Sequence, residues 1–472
     1  MKSTDSWSTE YYHPLGDRDP LYITRVAPGK DRIRLEWLPD TSVTPPYRVF
    51  FRQRSDGDWQ SAPAGETGID LEGLAENCDY EFYVSDGHRS SQPGLARTGE
   101  VPGTVVNYLH PEDPKYAFSG QHLCSPSLLR LPDGTYLASC DLFDGGAPQN
   151  LTLIFRSQDG GRTWHHLTEL FPCFWGTLFF HQNKVWMLAT STEYGDVLIG
   201  CSEDGGKTFC TPTVLGRGAA QRMNKGWHKS SNPVLLSGGR LWASVDYGSH
   251  KKGGFMSTLL SAPADADLLD PASWVFTDPL PYSPAWTGAV AGDDRGFLEG
   301  NAVEAPDGTV CNLLRYSTDR GTPAYGKIPI LTADAANPER QLQFRQFADF
   351  PGNLSKFDIK RDPVTGVYVS LCSRITDPEH MLARNVLALA MSEDLVHWRV
   401  ACDVLDYAKE DPAKVGFQYV SLAFDGDDLI FLSRTAFNRA QNFHDNNYLT
   451  FHRIPAFRER FAPKIQKKEI QP

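Results

Sequence analysis

The chain has 472 residues and a formal charge of −12, because 46 Lys and Arg stand against 58 Asp and Glu. This acidic balance, without any stripe of basic residues, argues against a nucleic-acid partner. No run approaches the ~18–20 apolar residues of a membrane span, and residues 1–20 lack the apolar centre of a secretory signal, so we expect a cytoplasmic protein, or a secreted one if a leader has been trimmed.

Nine cysteines are scattered along the chain without a Cys-x-x-Cys pair. This pattern predicts neither a disulfide scaffold nor a structural zinc site, and it favours reduced thiols packed in the core. No acidic loop has the spacing of a calcium site, and the sequence leaves calcium binding open. We predict no metal ligands and expect no cofactor.

Short runs of alternating apolar and polar residues, separated by Gly, Asp, Asn and Pro, recur along the chain, and helical periodicity is almost absent. These features predict an all-β protein. The chain divides into an N-terminal extension (1–19), a small sandwich (20–102), a linker that supplies an edge strand (103–118), a long repetitive region (119–460) and a tail (461–472).

The small sandwich is predicted from strands that alternate about buried aromatic residues. One strand runs into Trp37, the next begins at Tyr47, and a third opens with Tyr80, six residues after Leu74. That spacing is typical of a corner in which a tyrosine hydroxyl bonds back to the chain. The region resembles a fibronectin type III domain. We favour a spacer or packing role for it over glycan or partner binding, because sandwich folds serve many functions.

The repetitive region contains six units, each made of an apolar strand, a tight hairpin and a second strand. They lie at 125–135, 176–184, 232–240, 301–308, 356–366 and 419–428. Six units over 342 residues give 57 residues each, somewhat more than the ~40–50 of compact propeller blades. We therefore predict a six-bladed β-propeller, with a binding site at the end of the channel where the innermost strands begin.

Three hairpins carry a similar acidic pattern, at 157–164, 202–209 and, in shortened form, 392–398. In each, an Asp accepts backbone N–H bonds in a tight turn and an aromatic residue packs beneath it, so these acids are not catalytic candidates. The pattern resembles the Asp-box (BNR) repeat of the sialidase superfamily, over about 340 residues.

The resemblance implies a set of functional residues. Sialidases bind the substrate carboxylate with three arginines, use a tyrosine with a glutamate base as nucleophile, and protonate the leaving group with an aspartate. On this pattern Tyr419 is the nucleophile, Glu299 the base and Arg315 the second arginine. Arg384 is the candidate for the third arginine, with Arg374 as its competitor.

Two parts of the family pattern are missing from the first unit. Cys124 stands in the place of the first arginine, and the place of the acid catalyst is nearer Pro148 than any carboxylate, so Asp144 and then Asp141 are the nearest acid candidates. Loss of one of three guanidinium forks weakens carboxylate binding roughly ten- to a hundredfold. An ordinary sialidase is therefore not predicted, and the substrate is expected to be less acidic than the family's usual one.

Three histidines, His122, His228 and His444, lie in loops near the starts of inner strands and are candidate substrate contacts. The leading hypothesis is a glycoside hydrolase that removes a terminal, acidic or atypical sugar from an oligosaccharide or polysaccharide. One alternative is a polysaccharide lyase that acts on a uronic acid with His228 or His122 and Tyr419. The other is a glycan-binding propeller without activity.

Overall fold

The computed structural model describes residues 7, 21–38, 46–55, 57–219, 225–250, 254–290, 296–317 and 325–461. The described residues form antiparallel sheets with very little helix, as the sequence predicted. The helical elements are the short α-helix α1 (Phe457–Phe461) and two 3-10 turns (Pro271–Ser273 and Pro378–His380). No helix in these ranges is long and apolar enough to cross a membrane.

The N-terminal region forms a sandwich of two sheets. One sheet contains β1 (Ile23–Pro28), β2 (Ile33–Trp37) and β5 (Gly68–Leu71), and the other contains β3 (Tyr47–Gln53), β4 (Gln60–Ala64), β6 (Asp79–Ser85) and β7 (Gly94–Arg97). Trp37 packs edge-on against Tyr47 in the core. The hydroxyl of Tyr80 accepts a 2.8 Å hydrogen bond from the backbone N–H of Ala75, which is the tyrosine corner that the spacing predicted. The fibronectin type III assignment stays a prediction.

The rest of the chain forms six successive sheets, one for each repeated unit. Their strands are β9 (His122–Arg130), β10 (Tyr136–Phe143), β11 (Thr152–Ser157) and β12 (His165–Leu170) in sheet 1; β13 (Phe174–His181), β14 (Lys184–Thr190), β15 (Val197–Ser202) and β16 (Thr213–Gly216) in sheet 2; β17 (Gly226–His228), β18 (Leu235–Ser237), β19 (Arg240–Gly248), β20 (Phe255–Pro263), β21 (Val275–Phe276) and β22 (Leu280–Pro281) in sheet 3; β23 (Phe297–Glu304), β24 (Val310–Tyr316), β25 (Lys327–Thr332) and β26 (Gln343–Asp349) in sheet 4; β27 (Asp358–Arg361), β28 (Tyr368–Ser373), β29 (Val386–Ser392) and β30 (Arg399–Asp406) in sheet 5; and β31 (Gly416–Asp425), β32 (Asp428–Ala436) and β33 (Tyr448–Ile454) in sheet 6.

The fourth strand of sheet 6 is β8 (Thr104–Tyr108), which precedes the propeller in the chain and pairs with β33. An early strand therefore completes the last sheet, and the first and last parts of the propeller are held together by main-chain hydrogen bonds. The strand β8 lies within the segment 103–118.

Hydrogen bonds between neighbouring inner segments close the propeller into a ring around its axis. The bonds, in order from sheet 6 to sheet 1 and onward, join Ser421 Oγ to Leu128 N (3.0 Å), Ser127 Oγ to Leu178 N (2.9 Å), Thr177 Oγ1 to Asn232 O (3.2 Å), Asn232 Nδ2 to Glu299 O (2.8 Å), Asn301 Oδ1 to Ile359 N (3.1 Å) and Asp358 Oδ2 to Leu422 N (2.7 Å). Apolar clusters between adjacent sheets provide the remaining core.

The acidic hairpins use their carboxylates for the turn itself. Asp159 accepts hydrogen bonds from the Ser157 hydroxyl and from both the backbone N–H and the hydroxyl of Thr163, at 2.6 to 2.9 Å. Burial alone would raise the pKa of Asp159, but these hydrogen bonds outweigh that effect and lower the pKa to about 2. Asp204 makes the same contacts, which leaves neither carboxylate available for catalysis.

The sandwich packs against the propeller through buried polar contacts. Arg25, which is 5% exposed, donates to the carbonyl of Val106 at 2.7 Å and to Glu36 at 3.0 Å. The same Glu36 oxygen lies 2.9 Å from Nδ1 of His165 in sheet 1. The two regions are therefore joined by hydrogen bonds as well as by apolar packing.

All nine cysteines are free thiols, six of them buried. In the described part of the chain, no group of three or more His, Cys, Asp or Glu side chains is placed to hold a metal ion.

Candidate active site

The inner strands of four sheets contain a β-bulge at the same end of the channel. In each bulge a residue other than glycine adopts a positive φ: Ser125 (45°), Trp175 (53°), Glu299 (55°) and Tyr419 (52°). A left-handed conformation costs a residue other than glycine about 1–2 kcal/mol, which contacts with its surroundings must offset. A bulge also turns a side chain out of the normal alternation of the strand. The bulges therefore redirect two of the predicted catalytic side chains, Glu299 and Tyr419.

Buried aspartates hold two of these bulges in place. Asp246 on β19 accepts the backbone N–H of Glu299 at 2.7 Å, and Asp141 on β10 accepts the backbone N–H of Trp175 at the same distance. The second oxygen of Asp141 accepts the hydroxyl of Thr152 at 2.5 Å. Burial raises the pKa of Asp141 to about 7, against the effect of these bonds. Asp141 is 0% exposed and engaged on both oxygens, so the structure assigns it to the bulge and not to a leaving group.

Tyr419 and Glu299 meet across the channel although 120 positions separate them in the chain. The Tyr419 hydroxyl donates to Glu299 Oε1 at 2.9 Å. Arg315 Nη1 donates to Glu299 Oε2 at 2.9 Å and to the Tyr419 hydroxyl at 3.1 Å. The structure therefore brings together the three residues predicted as nucleophile, base and second arginine.

The surroundings of this pair keep the carboxylate ionised and the phenol protonated before substrate binds. Burial would raise the pKa of Glu299, but the charge of Arg315 and the hydrogen bonds from Arg315 and Tyr419 outweigh it and lower the pKa below its usual value. Burial raises the pKa of Tyr419, and so does Glu299, whereas three nearby guanidinium groups oppose that rise. Glu299 is thus ionised and able to accept a proton, while Tyr419 is neutral at rest.

Two further guanidinium groups lie over the Tyr419 ring. The Cζ of Arg384, just before β29, is 5.7 Å from the ring centroid, and the Cζ of Arg434, on β32, is 5.1 Å from it. The competitor Arg374 is bonded to Asp403 through two nitrogens, at 2.8 and 2.5 Å, and does not join them.

Sequence reasoning missed Arg434, although a signal for it was present. Arg315 follows Glu299 by 16 positions, and Arg434 follows Tyr419 by 15. In the structure Arg315 pairs with Leu298, directly before one bulge, and Arg434 pairs with Gln418, directly before the other. The spacing that identified Arg315 applies equally to Arg434.

The three predicted histidines occupy two different places. His228 is 2% exposed, lies 3.3 Å from Asp246 and packs against the ring of Trp175. His444 lies 2.8 Å from Asp445 and 5.3 Å, centroid to centroid, from Phe143. Burial, followed by the charge of Arg434, lowers the pKa of His444 to about 4, so it is neutral at pH 7.

His122 and Asp144 lie on the same side of the channel mouth as His444. His122 is 5% exposed and pairs with Phe143 in the sheet. Burial lowers the pKa of His122, whereas the nearby carboxylates of Asp445 and Asp144 oppose that effect. Asp144 is half-buried in the loop after β10, with one oxygen 3.2 Å from the backbone N–H of Gly146. Of the two acid candidates, it is the one with solvent access.

No protein-family model and no curated protein sequence matches the chain. Its fold is similar to that of the Hadza microbial sialidase, with a TM-score of 0.52 and 12% identity over 92% of this chain and 94% of that one. It is also similar to the leech intramolecular trans-sialidase, with a TM-score of 0.52 and 11% identity over 94% of this chain and 93% of that one. At such identities the likeness concerns the fold, which is a β-propeller of the kind found in sialidases.

Proposed function

We propose that this chain is a glycoside hydrolase that removes a terminal acidic sugar, with Tyr419 as nucleophile and Glu299 as its base. The observation that carries the proposal is the 2.9 Å contact between the Tyr419 hydroxyl and the Glu299 carboxylate, made by residues of different sheets at one end of the channel. Both side chains are almost fully buried, so their contact results from the fold and not from a chance surface encounter.

A tyrosine nucleophile suits an anionic substrate, because a carboxylate nucleophile would repel it whereas a neutral phenol does not. In the first step the phenolic oxygen bonds to the anomeric carbon and its proton passes to Glu299. Arg315, bonded to both partners, holds the hydroxyl and carboxylate in register and stabilises the negative charge that develops on the phenol.

The leaving group needs a proton from another residue. Asp144 is assigned this role because it is the solvent-accessible acid of the loop after β10. In its protonated form it gives its proton to the glycosidic oxygen as the C–O bond breaks. As a carboxylate it then takes a proton from the water that attacks the glycosyl-tyrosine, while the proton on Glu299 returns to the Tyr419 oxygen. Two displacements at one carbon give net retention of configuration.

The two alternatives have less support from the geometry. For a lyase, a histidine must reach a proton on the sugar ring. His228 and His122, however, are only 2% and 5% exposed, and His228 lies 3.3 Å from Asp246. A purely binding propeller gives no reason for a buried phenol to be paired with an ionised carboxylate. The likeness to two sialidases in fold is consistent with a carbohydrate substrate.

The test is turnover of aryl glycosides of sialic acid, glucuronic acid and neutral sugars by the wild-type protein and by Tyr419→Phe. Loss of the nucleophile should reduce kcat/KM roughly a thousandfold or more. The control is Tyr368→Phe, because Tyr368 is equally buried but its hydroxyl donates only to the backbone of Glu304. Undiminished turnover by Tyr419→Phe would rule out the tyrosine mechanism. Release of an unsaturated product absorbing in the near ultraviolet from an oligosaccharide that contains uronic acid would indicate a lyase.

A further inference from the structure

Among the described residues, two buried arginines beside the nucleophile form no salt bridge with a carboxylate. Arg384 is 6% exposed and Arg434 is 3% exposed. Within the part of the chain that the structure describes, their hydrogen bonds go to neutral acceptors: Arg384 bonds to Gln418 Oε1, and Arg434 bonds to Asn446 Oδ1 at 2.8 Å and to the carbonyl of His444 at 2.5 Å. Burial of a cation without a paired anion is unfavourable, so an anionic ligand that reaches these two arginines would be stabilised by them.

Several other buried or half-buried arginines are paired with carboxylates. Arg25 is paired with Glu36, Arg374 with Asp403, and Arg453 with two aspartates. Arg315 is paired with Glu299 and belongs to the nucleophile pair. Of the three arginines around Tyr419, Arg384 and Arg434 are therefore the two that form no salt bridge within the described residues.

Aromatic rings fix the position of both guanidinium groups. Arg434 lies over the rings of Phe143 in sheet 1 (5.3 Å) and Tyr419 in sheet 6 (5.1 Å). Arg384 lies over the rings of Tyr419 (5.7 Å) and Phe443 (5.5 Å). Such contacts orient a guanidinium group without neutralising it, and its N–H donors remain able to bind a carboxylate.

Arg434 also lies where sheet 6 adjoins sheet 1, the sheet in which Cys124 stands in the place of the first arginine of the sialidase pattern. The residue before the bulge pairs with an arginine in sheet 4 (Leu298 with Arg315) and in sheet 6 (Gln418 with Arg434), but with Asp141 in sheet 1, where Cys124 takes the corresponding position. Sheet 6 thus supplies a guanidinium on the sheet 1 side of Tyr419.

We infer that Arg434 is a specificity-determining residue that binds the carboxylate of an acidic sugar together with Arg384, in place of the cation that sheet 1 lacks. This assignment rests on the proposed function for the class of ligand, but carboxylate binding does not require turnover. It also reverses the expectation from the sequence that the loss of an arginine at position 124 makes the substrate less acidic.

The experiment is titration calorimetry with N-acetylneuraminic acid, glucuronic acid and neutral glucose against the wild-type protein, Arg434→Gln and Arg434→Lys. We expect Arg434→Gln to weaken binding of the acids by about ten- to a hundredfold, with no change for glucose, because a charge-assisted fork is lost. Arg434→Lys keeps the positive charge but not the two-pronged guanidinium donor, so it should lose less affinity for the acids than Arg434→Gln does. Arg374→Gln, which removes an arginine already paired with Asp403, should bind the acids like the wild type.

Thermal unfolding gives a second readout that a purely structural arginine would not produce. Removal of an unneutralised buried charge should leave Arg434→Gln at least as stable as the wild type. An acid concentration that saturates the wild type should raise the melting temperature of the wild type more than that of the variant. The inference is overturned if neither acid binds the wild type, or if Arg434→Gln binds an acid as tightly as the wild type does. If Tyr419→Phe keeps full turnover while acid binding still depends on Arg434, the hydrolase mechanism fails and this inference stands.

Discussion

The contact between Glu299 and Arg315 allows the electrostatics of the site to be tested without a substrate. The side chains are 3% and 13% exposed, and their charged atoms are 2.9 Å apart. At an effective dielectric constant of about 20 the attraction is about 6 kcal/mol, much of it offset by desolvation. Arg315→Met leaves the carboxylate buried without its partner, and breaking such a pair costs ~3–5 kcal/mol of stability near pH 7.

The loss should depend on pH in a defined direction. In the wild type the folded-state pKa of Glu299 is lowered, so its stabilising contribution is present above the unfolded pKa of about 4.3 and is lost as pH falls through the folded value. Without Arg315, burial dominates and raises the folded pKa above the unfolded one. The variant then loses stability as pH rises through 4.3, and the gap from the wild type widens between about pH 4 and pH 7.

Urea unfolding at both pH values measures this gap. The double variant Arg315→Met/Glu299→Gln should recover a large part of the loss at pH 7, because no buried charge remains. Arg374→Met, which breaks the more exposed pair with Asp403, should lower the free energy of unfolding by no more than ~1 kcal/mol. Its stability difference from the wild type should not increase between about pH 4 and pH 7. An equal loss for Arg315→Met at both pH values would refute the reasoning, since it would mean that the carboxylate does not depend on Arg315 for its charge.

Two further predictions concern the aspartates Asp144 and Asp141 and two glycines of the hairpins. Asp144→Asn should slow turnover of substrates with poor leaving groups ~10²–10⁴-fold at unchanged stability. Asp141→Ala should instead lower the free energy of unfolding by about 2–4 kcal/mol, because two buried donors lose their acceptor. The same dependence of turnover on the leaving group in both variants would contradict these two roles. Gly161→Ala and Gly134→Ala both place Ala at a φ near +90°, but only at Gly161 would the new Cβ meet a ring, that of Phe451 at 2.1 Å. Chemical denaturation should show that Gly134→Ala lowers the free energy of unfolding by about 1 kcal/mol and Gly161→Ala by ~1–3 kcal/mol more. Equal losses of stability would mean that the Phe451 ring moves aside without an energetic cost.

Local chemistry explains why much of the fold could be predicted from the sequence. The acidic hairpins are specified within eight residues each, and the alternation of inner and outer residues is specified within single strands. The Ala75 to Tyr80 bond is of the same kind, since both partners lie five positions apart. Features whose cause lies within one strand or hairpin were therefore accessible.

The site was only partly accessible, because its side chains are placed by bulges and by neighbouring sheets. Glu299 and Tyr419 were found through the family pattern, but nothing in their own strands indicates that a buried aspartate in the preceding sheet holds the Glu299 bulge. The sequence makes Asp141 an acid candidate, because it lies close to the expected loop along the chain. Its hydrogen bonds to Thr152 and Trp175 depend on sheets 1 and 2 together and assign it a structural role.

The net charge of −12 and the proposed anionic ligand are compatible, because net charge does not determine the field inside a channel. Carboxylates elsewhere are largely engaged in local turns or ion pairs, as Asp159 and Asp403 are. At the channel mouth Arg384 and Arg434 have neutral partners, so a positive field persists there in a low-dielectric setting. Raising the ionic strength should therefore slow the association of an acidic sugar while its affinity, set by buried contacts that salt screens poorly, changes less.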